Sequence, residues 1–157
     1  MQAEERFMQM AIDKAKQGIE NGNSPFGACI VKNGQVIACE HNIVWQSTDI
    51  TAHAEVNAIR AACKKLDTIE LADCTIYSTC EPCPMCFSAC HWAKISKIVF
   101  GADIHDAKIA GFSELEISNE KMKKIGQSKM QIVSHFMQDQ CVELFKEWEK
   151  RDDSRTY

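Results

Sequence analysis

Phe26-Gly27-Ala28-Cys29-Ile30-Val31-Lys32-Asn33-Gly34-Gln35-Val36-Ile37-Ala38-Cys39 decides the fold. Two short apolar runs, 26–31 and 35–39, flank Asn33-Gly34, the strongest short-range signal for a two-residue β-hairpin. Upstream, residues 4–20 place Phe7, Met10/Ala11, Ala15 and Ile19 on one face of an amphipathic helix. Asn21-Gly22-Asn23 and Ser24-Pro25 stop that helix before the hairpin. Downstream, residues 41–51 are polar and read as irregular. A helix follows over 53–65, with Val56, Ile59, Ala62/Cys63 and Leu66 on its buried face. Then come a strand over 74–78, a helix starting near Cys83, a strand over 97–100, a last strand over 130–135 and a helix over 139–150. Strands alternating with helices after an opening hairpin predict an α/β fold in layers, with helices covering a mixed sheet.

Composition bounds what such a fold can do. The 157 residues suffice for one domain with its own core, and no repeat or Pro/Gly-rich linker divides them. No apolar run reaches the ~20 residues of a membrane span, and the amino terminus lacks a basic-then-apolar signal. A cytoplasmic protein is the default expectation. Nine cysteines agree with it: the number is odd, and Cys80, Cys83, Cys86 and Cys90 crowd into eleven residues, a poor disulfide framework. Cys29, Cys39, Cys63, Cys74 and Cys141 read as buried free thiols. Net charge is −4, and the only basic clusters, Lys64-Lys65 and 121–129, have acids beside them. Nucleic acid is therefore disfavoured as a substrate.

The chemistry lies in His53-Ala54-Glu55 and Pro82-Cys83-Pro84-Met85-Cys86. One imidazole and two thiolates make a three-ligand set that binds Zn²⁺ and leaves a fourth tetrahedral position for water. Glu55 is not needed as a ligand and is free to move protons. H-x-E followed by P-C-x-x-C is the known signature of zinc-dependent base deaminases. Both groups fall at helix starts, with Thr51 as an N-cap and Pro82 or Pro84 in a first turn. A helix N-terminus favours the thiolates zinc requires. Cys83 and Cys86, at i and i+3, share one helical face. His53 and Glu55, at i and i+2, point to opposite sides of a regular helix, so they can share a cavity only at its entrance. Two other readings stand beside this one: a thiol–disulfide exchange motif, and a closed structural zinc site built from the four clustered cysteines. Either would make the chain a structural-zinc or redox-responsive binding module. Neither explains His-x-Glu. Histidines 41, 91, 105 and 135 read as surface or core residues, and Cys80 as a neighbouring non-ligand.

Pro25-Phe26-Gly27-Ala28, Asn42, Thr51-Ala52-His53-Ala54-Glu55 and Cys80-Glu81-Pro82-Cys83-Pro84-Met85-Cys86 together resemble the cytidine deaminase superfamily. Trp92 and Ala110-Gly111-Phe112 carry the resemblance toward its bacterial guanine deaminases, while the tRNA adenosine deaminases share the zinc motif. The likeness is dense over residues 25–112 and looser elsewhere. It implies a three-layer αβα sandwich with a five-stranded mixed sheet, a homodimer, and one Zn²⁺ per chain on His53, Cys83 and Cys86. It assigns proton shuttling to Glu55 and a second carboxylate to Glu114. Asn42 would bond the purine, Phe26 and Trp92 would enclose it, and the backbone N–H groups of Ala54 and Cys83 would face substrate and water. The segment 136–157 would close a partner's site through Tyr157. Each role has a plain alternative: a solvated loop acid for Glu114, core packing for Phe26 and Trp92, a frayed end for Tyr157. Two departures stand out: Ser113-Glu114 where an Asp is common, and Ile50 where a proline is frequent. The implied reaction is hydrolysis of guanine to xanthine and ammonia; the alternatives are tRNA adenosine or cytosine deamination.

Overall fold

A computed structural model describes residues 2–157. The chain runs α1 (Glu5–Glu20), β1 (Gly27–Lys32), β2 (Gln35–His41), α2 (Val44–Ser47), α3 (Ala54–Leu66), β3 (Cys74–Cys80), α4 (Pro84–Trp92), β4 (Lys97–Ala102), α5 (Ile104–Ile109), α6 (Asn119–Ile125), β5 (Gln131–Val133) and α7 (Gln138–Glu149). Asn33 and Gly34 both take positive φ, 51° and 75°, as a type I′ turn demands. The hairpin they close pairs Gly27 with His41 and Cys29 with Cys39, with an irregularity between Ile30 and Val31.

The sheet order is β2-β1-β3-β4-β5. β1 lies antiparallel to β2 and β3; β3, β4 and β5 are parallel. Strands buried on both faces read as unbroken apolar runs, which is why β1 and β4 carry little alternation. One core layer joins Phe7, Ala11 and Ala15 of α1 to Leu144, Phe145 and Trp148 of α7. The other joins Ala54, Ala58 and Ala62 of α3 to Phe87 and Cys90 of α4. The result is the three-layer αβα arrangement with a five-stranded mixed sheet.

Several elements differ from the sequence expectation. Residues 44–47 are not irregular but a single turn of helix, too short to show periodicity, started where Asn42 Oδ1 accepts the Val44 N–H at 3.0 Å. α5 and α6 also escape a periodicity search. Their caps, an Asp103/Asp106 box and the Ser118 hydroxyl on Lys121 N–H, are the signals that mark them. The last strand is three residues long, Gln131–Val133, and His135 (φ 56°) turns away from it. On α3 the fully buried positions are Ala54, Ala58 and Ala62, while Ile59, Cys63 and Leu66 pack at the edge of that core. Small residues let this helix lie close to the sheet. Cys39 and Cys63 are half-buried rather than buried.

α1 lies so close to β1 that a Cβ on Gly27 would come 2.1 Å from the Ala11 carbonyl oxygen and 2.9 Å from Ala15 N. Backbone cannot give way as a flexible side chain can. Gly27→Ala is expected to cost about 3 kcal/mol by overpacking. In a domain of this size that lowers Tm by roughly 9 °C. Thermal unfolding monitored by circular dichroism measures it; an unchanged Tm would show that α1 can shift freely.

Candidate metal centre and its cavity

The site sits at the carboxyl end of β3, where the N-termini of α3 and α4 converge, the usual crevice in α/β sheets. His53 is the N-cap of α3, with extended backbone (φ −65°, ψ 155°), and Glu55 is two residues on. Thr51 is therefore not the cap; it donates through N–H and hydroxyl to Asp49 Oδ1 instead. Cys83 is the N-cap of α4 (φ −60°, ψ 166°), and Pro84 takes the first helical position, where a missing N–H costs nothing. Because His53 precedes the helix proper, its ring and the Glu55 carboxylate reach the same point: both approach Cys86 Sγ at 3.5 Å.

His53 Nδ1 lies 3.6 Å from Cys83 Sγ and 3.5 Å from Cys86 Sγ. Bonds of ~2.0 Å to nitrogen and ~2.3 Å to sulfur at the tetrahedral angle put those atoms about 3.6 Å apart. Both nitrogen–sulfur separations thus match a zinc tetrahedron, and the three donor atoms all lie within 4.8 Å of one another. Cys80 turns its thiol to the Asp103 carbonyl (3.6 Å), and Cys90 is buried in the core under α3 and α4. Among the described residues no second group of His, Cys, Asp or Glu has metal-ligand spacing. The donor set is two sulfurs and a nitrogen, soft enough for zinc, with a side left for solvent.

Electrostatics ready the Cys83 thiolate, whereas the raised pKa values of Cys86 and His53 hold protons that a metal must displace. The hydrogen bond from Cys86, and then those involving His53, hold the Cys83 thiol down at about 4, while the same bond and burial push Cys86 up. One thiolate is ready and the second proton is the one a metal displaces. Burial opposes charge on His53, but the bond to Cys83 and the negative charges of Glu55 and Cys83 outweigh it and raise its pKa. Burial raises Glu55 above the ordinary carboxylate range.

A cavity of ≈ 390 Å³ opens beside these groups. Its walls include Phe26, Asn42, Ile50, Phe112, Glu114 and Tyr157. Asn42 is fully buried; its Oδ1 is committed to Val44 N–H, and its Nδ2 donates to the Tyr157 hydroxyl at 2.7 Å. Phe26 packs edge-on to Phe112 (4.9 Å) and Phe145 (5.7 Å), so it serves core and cavity together. Glu114 lines the cavity with Oε2 buried and without a hydrogen-bond partner among the described residues. Burial, and then the charges of Cys83 and Glu55, push it up to about 8. Tyr157 is not frayed. Its ring lies 5.7 Å from that of His53 and 5.4 Å from that of Phe112, and its carbonyl accepts the Ser113 N–H. Ala54 and Cys83 occupy the two helix starts, Ala54 fully buried.

Trp92 is the exception. It is 84 % exposed at the end of α4 and does not line this cavity: Cys90 and Ala93 on either side of it are the residues turned into the core, which leaves Trp92 on the outer face. Other contributors went unread in the sequence. Glu81 accepts N–H bonds from Asn119 (2.7 Å) and Ile104 (3.4 Å), and Asn119 Nδ2 donates to the Pro82 carbonyl at 2.6 Å, bracing the turn that carries Cys83. An acid directly before Pro-Cys was the available signal. Trp45 Nε1 donates to the Arg155 carbonyl, and the Arg155 guanidinium lies 4.1 Å over its ring, fastening the carboxyl end across the cavity.

The motif and its geometry agree with a comparison against known families, in which "Cytidine and deoxycytidylate deaminase zinc-binding region" matches residues 1–102. The chain belongs to this zinc-dependent deaminase family. Within the family it is 47 % identical over 117 residues to guanine deaminase of Bacillus subtilis, covering 74 % of this chain and 75 % of that one. It is 37 % identical over 141 residues to the tRNA-specific adenosine deaminase of the same organism, covering 90 % and 85 %. The solved structure of a guanine deaminase from Nitrosomonas europaea superposes with a TM-score of 0.88 at 26 % identity, over 96 % of this chain and 87 % of that one. Family membership makes this chain a zinc-dependent hydrolytic enzyme, and His53, Cys83 and Cys86 are placed where they could hold the ion. No described helix is long and apolar enough to cross a membrane.

Proposed function

We propose that the enzyme deaminates a free purine base, converting guanine and water to xanthine and ammonia. One observation carries the choice of substrate: the charged residues lining the cavity are His53 and the acids Glu55, Glu81 and Glu114, with no Lys or Arg among the described residues that line it. A site that grips phosphates needs the opposite sign. The carboxyl-terminal residues across the opening support the same reading, since a small base fits beneath them and an anticodon loop does not.

His53, Cys83 and Cys86 would hold Zn²⁺, which would supply a water acidified from ~15.7 toward about 7 beside the amino-bearing carbon. Glu55 accepts that water's proton and delivers it to the neighbouring ring nitrogen. The same carboxyl, or Glu114, then takes the remaining proton of the attacking hydroxyl and passes it to the amine, which departs as ammonia while the carbonyl forms. Asn42 offers the purine a donor, because its oxygen is already taken by Val44 N–H. Phe26, Phe112 and Tyr157 enclose the ring. The backbone N–H groups of Ala54 and Cys83, at two helix starts, add positive potential beside substrate and water.

Apolar Trp92 and Met85, exposed on α4, give a second copy of the chain a face to cover, which supports a homodimer. In that dimer Tyr157 could reach the cavity from either copy, so exchange of the segment 136–157 is part of the proposal. Nine free cysteines suit a reducing, cytoplasmic setting, and the substrate places the enzyme in purine metabolism.

Ammonia release from guanine, cytosine, adenine and an anticodon stem-loop, measured in parallel, tests the reading. Guanine should give the highest kcat/KM by roughly 10²-fold or more, because a buried polar site rejects a base that leaves its groups unpaired. Its turnover should be insensitive to salt. Activity confined to the stem-loop, falling steeply with salt, would replace guanine by tRNA.

A further inference from the structure

Cys74, Ile76 and Ser78 alternate along the face of β3 that lies beneath α3 and α4. The first two are core residues packed with Ala54, Ala58 and Phe87. Ser78, 2 % exposed, places a hydroxyl in the same layer. For packing alone a Val or Ala would serve, and a buried hydroxyl costs stability unless it is bonded. Its partner is Glu55: Ser78 Oγ donates to Oε1 at 3.1 Å, across a separation of 23 residues. The other oxygen, Oε2, faces Cys86 Sγ at 3.5 Å. Once Cys86 is a thiolate on a metal it has no proton to give, and Ser78 becomes the side-chain donor that still holds this carboxylate.

We propose that Ser78 is a positioning residue for Glu55: its hydroxyl fixes Oε1 and leaves Oε2 as the oxygen that exchanges protons with water and substrate. The inference rests on the deaminase reading above, in which Glu55 shuttles protons. A Glu side chain has three rotatable bonds, and a carboxylate that must both take and return a proton needs one orientation throughout. Binding of the base is carried by other groups, Asn42 and the aromatic walls. The effect of Ser78 therefore falls on kcat and not on KM.

Ser78→Thr and Ser78→Val have the same shape and differ only in the hydroxyl. Steady-state kcat and KM on guanine, zinc per chain and Tm are measured for both and for the wild type. Ser78→Thr should keep kcat within about threefold, while Ser78→Val loses roughly 10- to 100-fold, the factor carried by a hydrogen bond to a charged group. Both should bind zinc as the wild type does and show KM within about threefold of it. Equal kcat for the two variants overturns the proposal, as does loss of zinc by Ser78→Val in proportion to its activity. Should the valine form not fold, Ser78→Ala takes its place against the threonine form. A zinc-loaded wild type inactive on guanine refutes the substrate assignment instead, and the same comparison on the anticodon stem-loop must then show the same loss.

Discussion

Glu55→Gln should retain zinc and the fold while kcat on guanine falls by roughly 10⁴-fold, the upper range for a single general acid–base group. The upper range applies because one carboxyl serves as base and then as acid. The substitution is nearly isosteric, and the amide oxygen can still accept from Ser78 Oγ, so the site keeps its shape. Since burial raises the Glu55 pKa, the metal-free fold prefers the protonated carboxyl, and that preference is a stability lost as pH rises through the folded-state value. In metal-free protein the neutral glutamine therefore raises Tm relative to wild type, and the gain widens above the ordinary carboxyl range near 4.5. Elemental analysis, steady-state kinetics and unfolding at several pH values check the three parts. Unchanged turnover would remove Glu55 from the reaction.

Cys83→Ser should weaken zinc binding roughly 10²-fold and cost activity in step with the metal lost. A closed zinc site with four protein donors is worth ~12 kcal/mol, or about 3 kcal/mol per donor, so losing one of the three protein donors here weakens binding roughly 10²-fold. Cys83 is also the thiol most ready to ionise, held down at about 4 first by the bond from Cys86. Cys90→Ala is the contrasting variant. Cys90 is a buried core thiol under α3, and its loss should lower stability by ~1 kcal/mol or more while leaving zinc in place. Competition against a zinc-selective chelator measures both affinities. Equal zinc loss in the two variants would revive a closed four-cysteine site and the structural-zinc reading.

Much of this was legible residue by residue. Asn33-Gly34 specified its hairpin because few dipeptides take two positive φ values in succession. The His53/Glu55 spacing required a helix entrance, and the N-cap at His53 supplies one. Other features were hidden for physical reasons. α2, α5 and α6 span 4, 6 and 7 residues, too few for a 3.6-residue period to repeat. The resemblance made Trp92 a wall of the site, but in the fold Cys90 and Ala93 beside it face the core and Trp92 faces outward. Ser78 gave no signal alone, and Glu81, though visible as an acid before Pro-Cys, did not show what it holds. Their roles arise from contacts 23 and 38 residues away, which only the folded chain brings together.

X-ray absorption at the zinc edge of the purified enzyme tests the centre of the account. Two sulfur ligands at ~2.3 Å with two nitrogen or oxygen ligands at ~2.0 Å would match His53, Cys83, Cys86 and one exchangeable solvent. Three or four sulfur ligands, or an outer position filled by a carboxylate from Glu55, would contradict it.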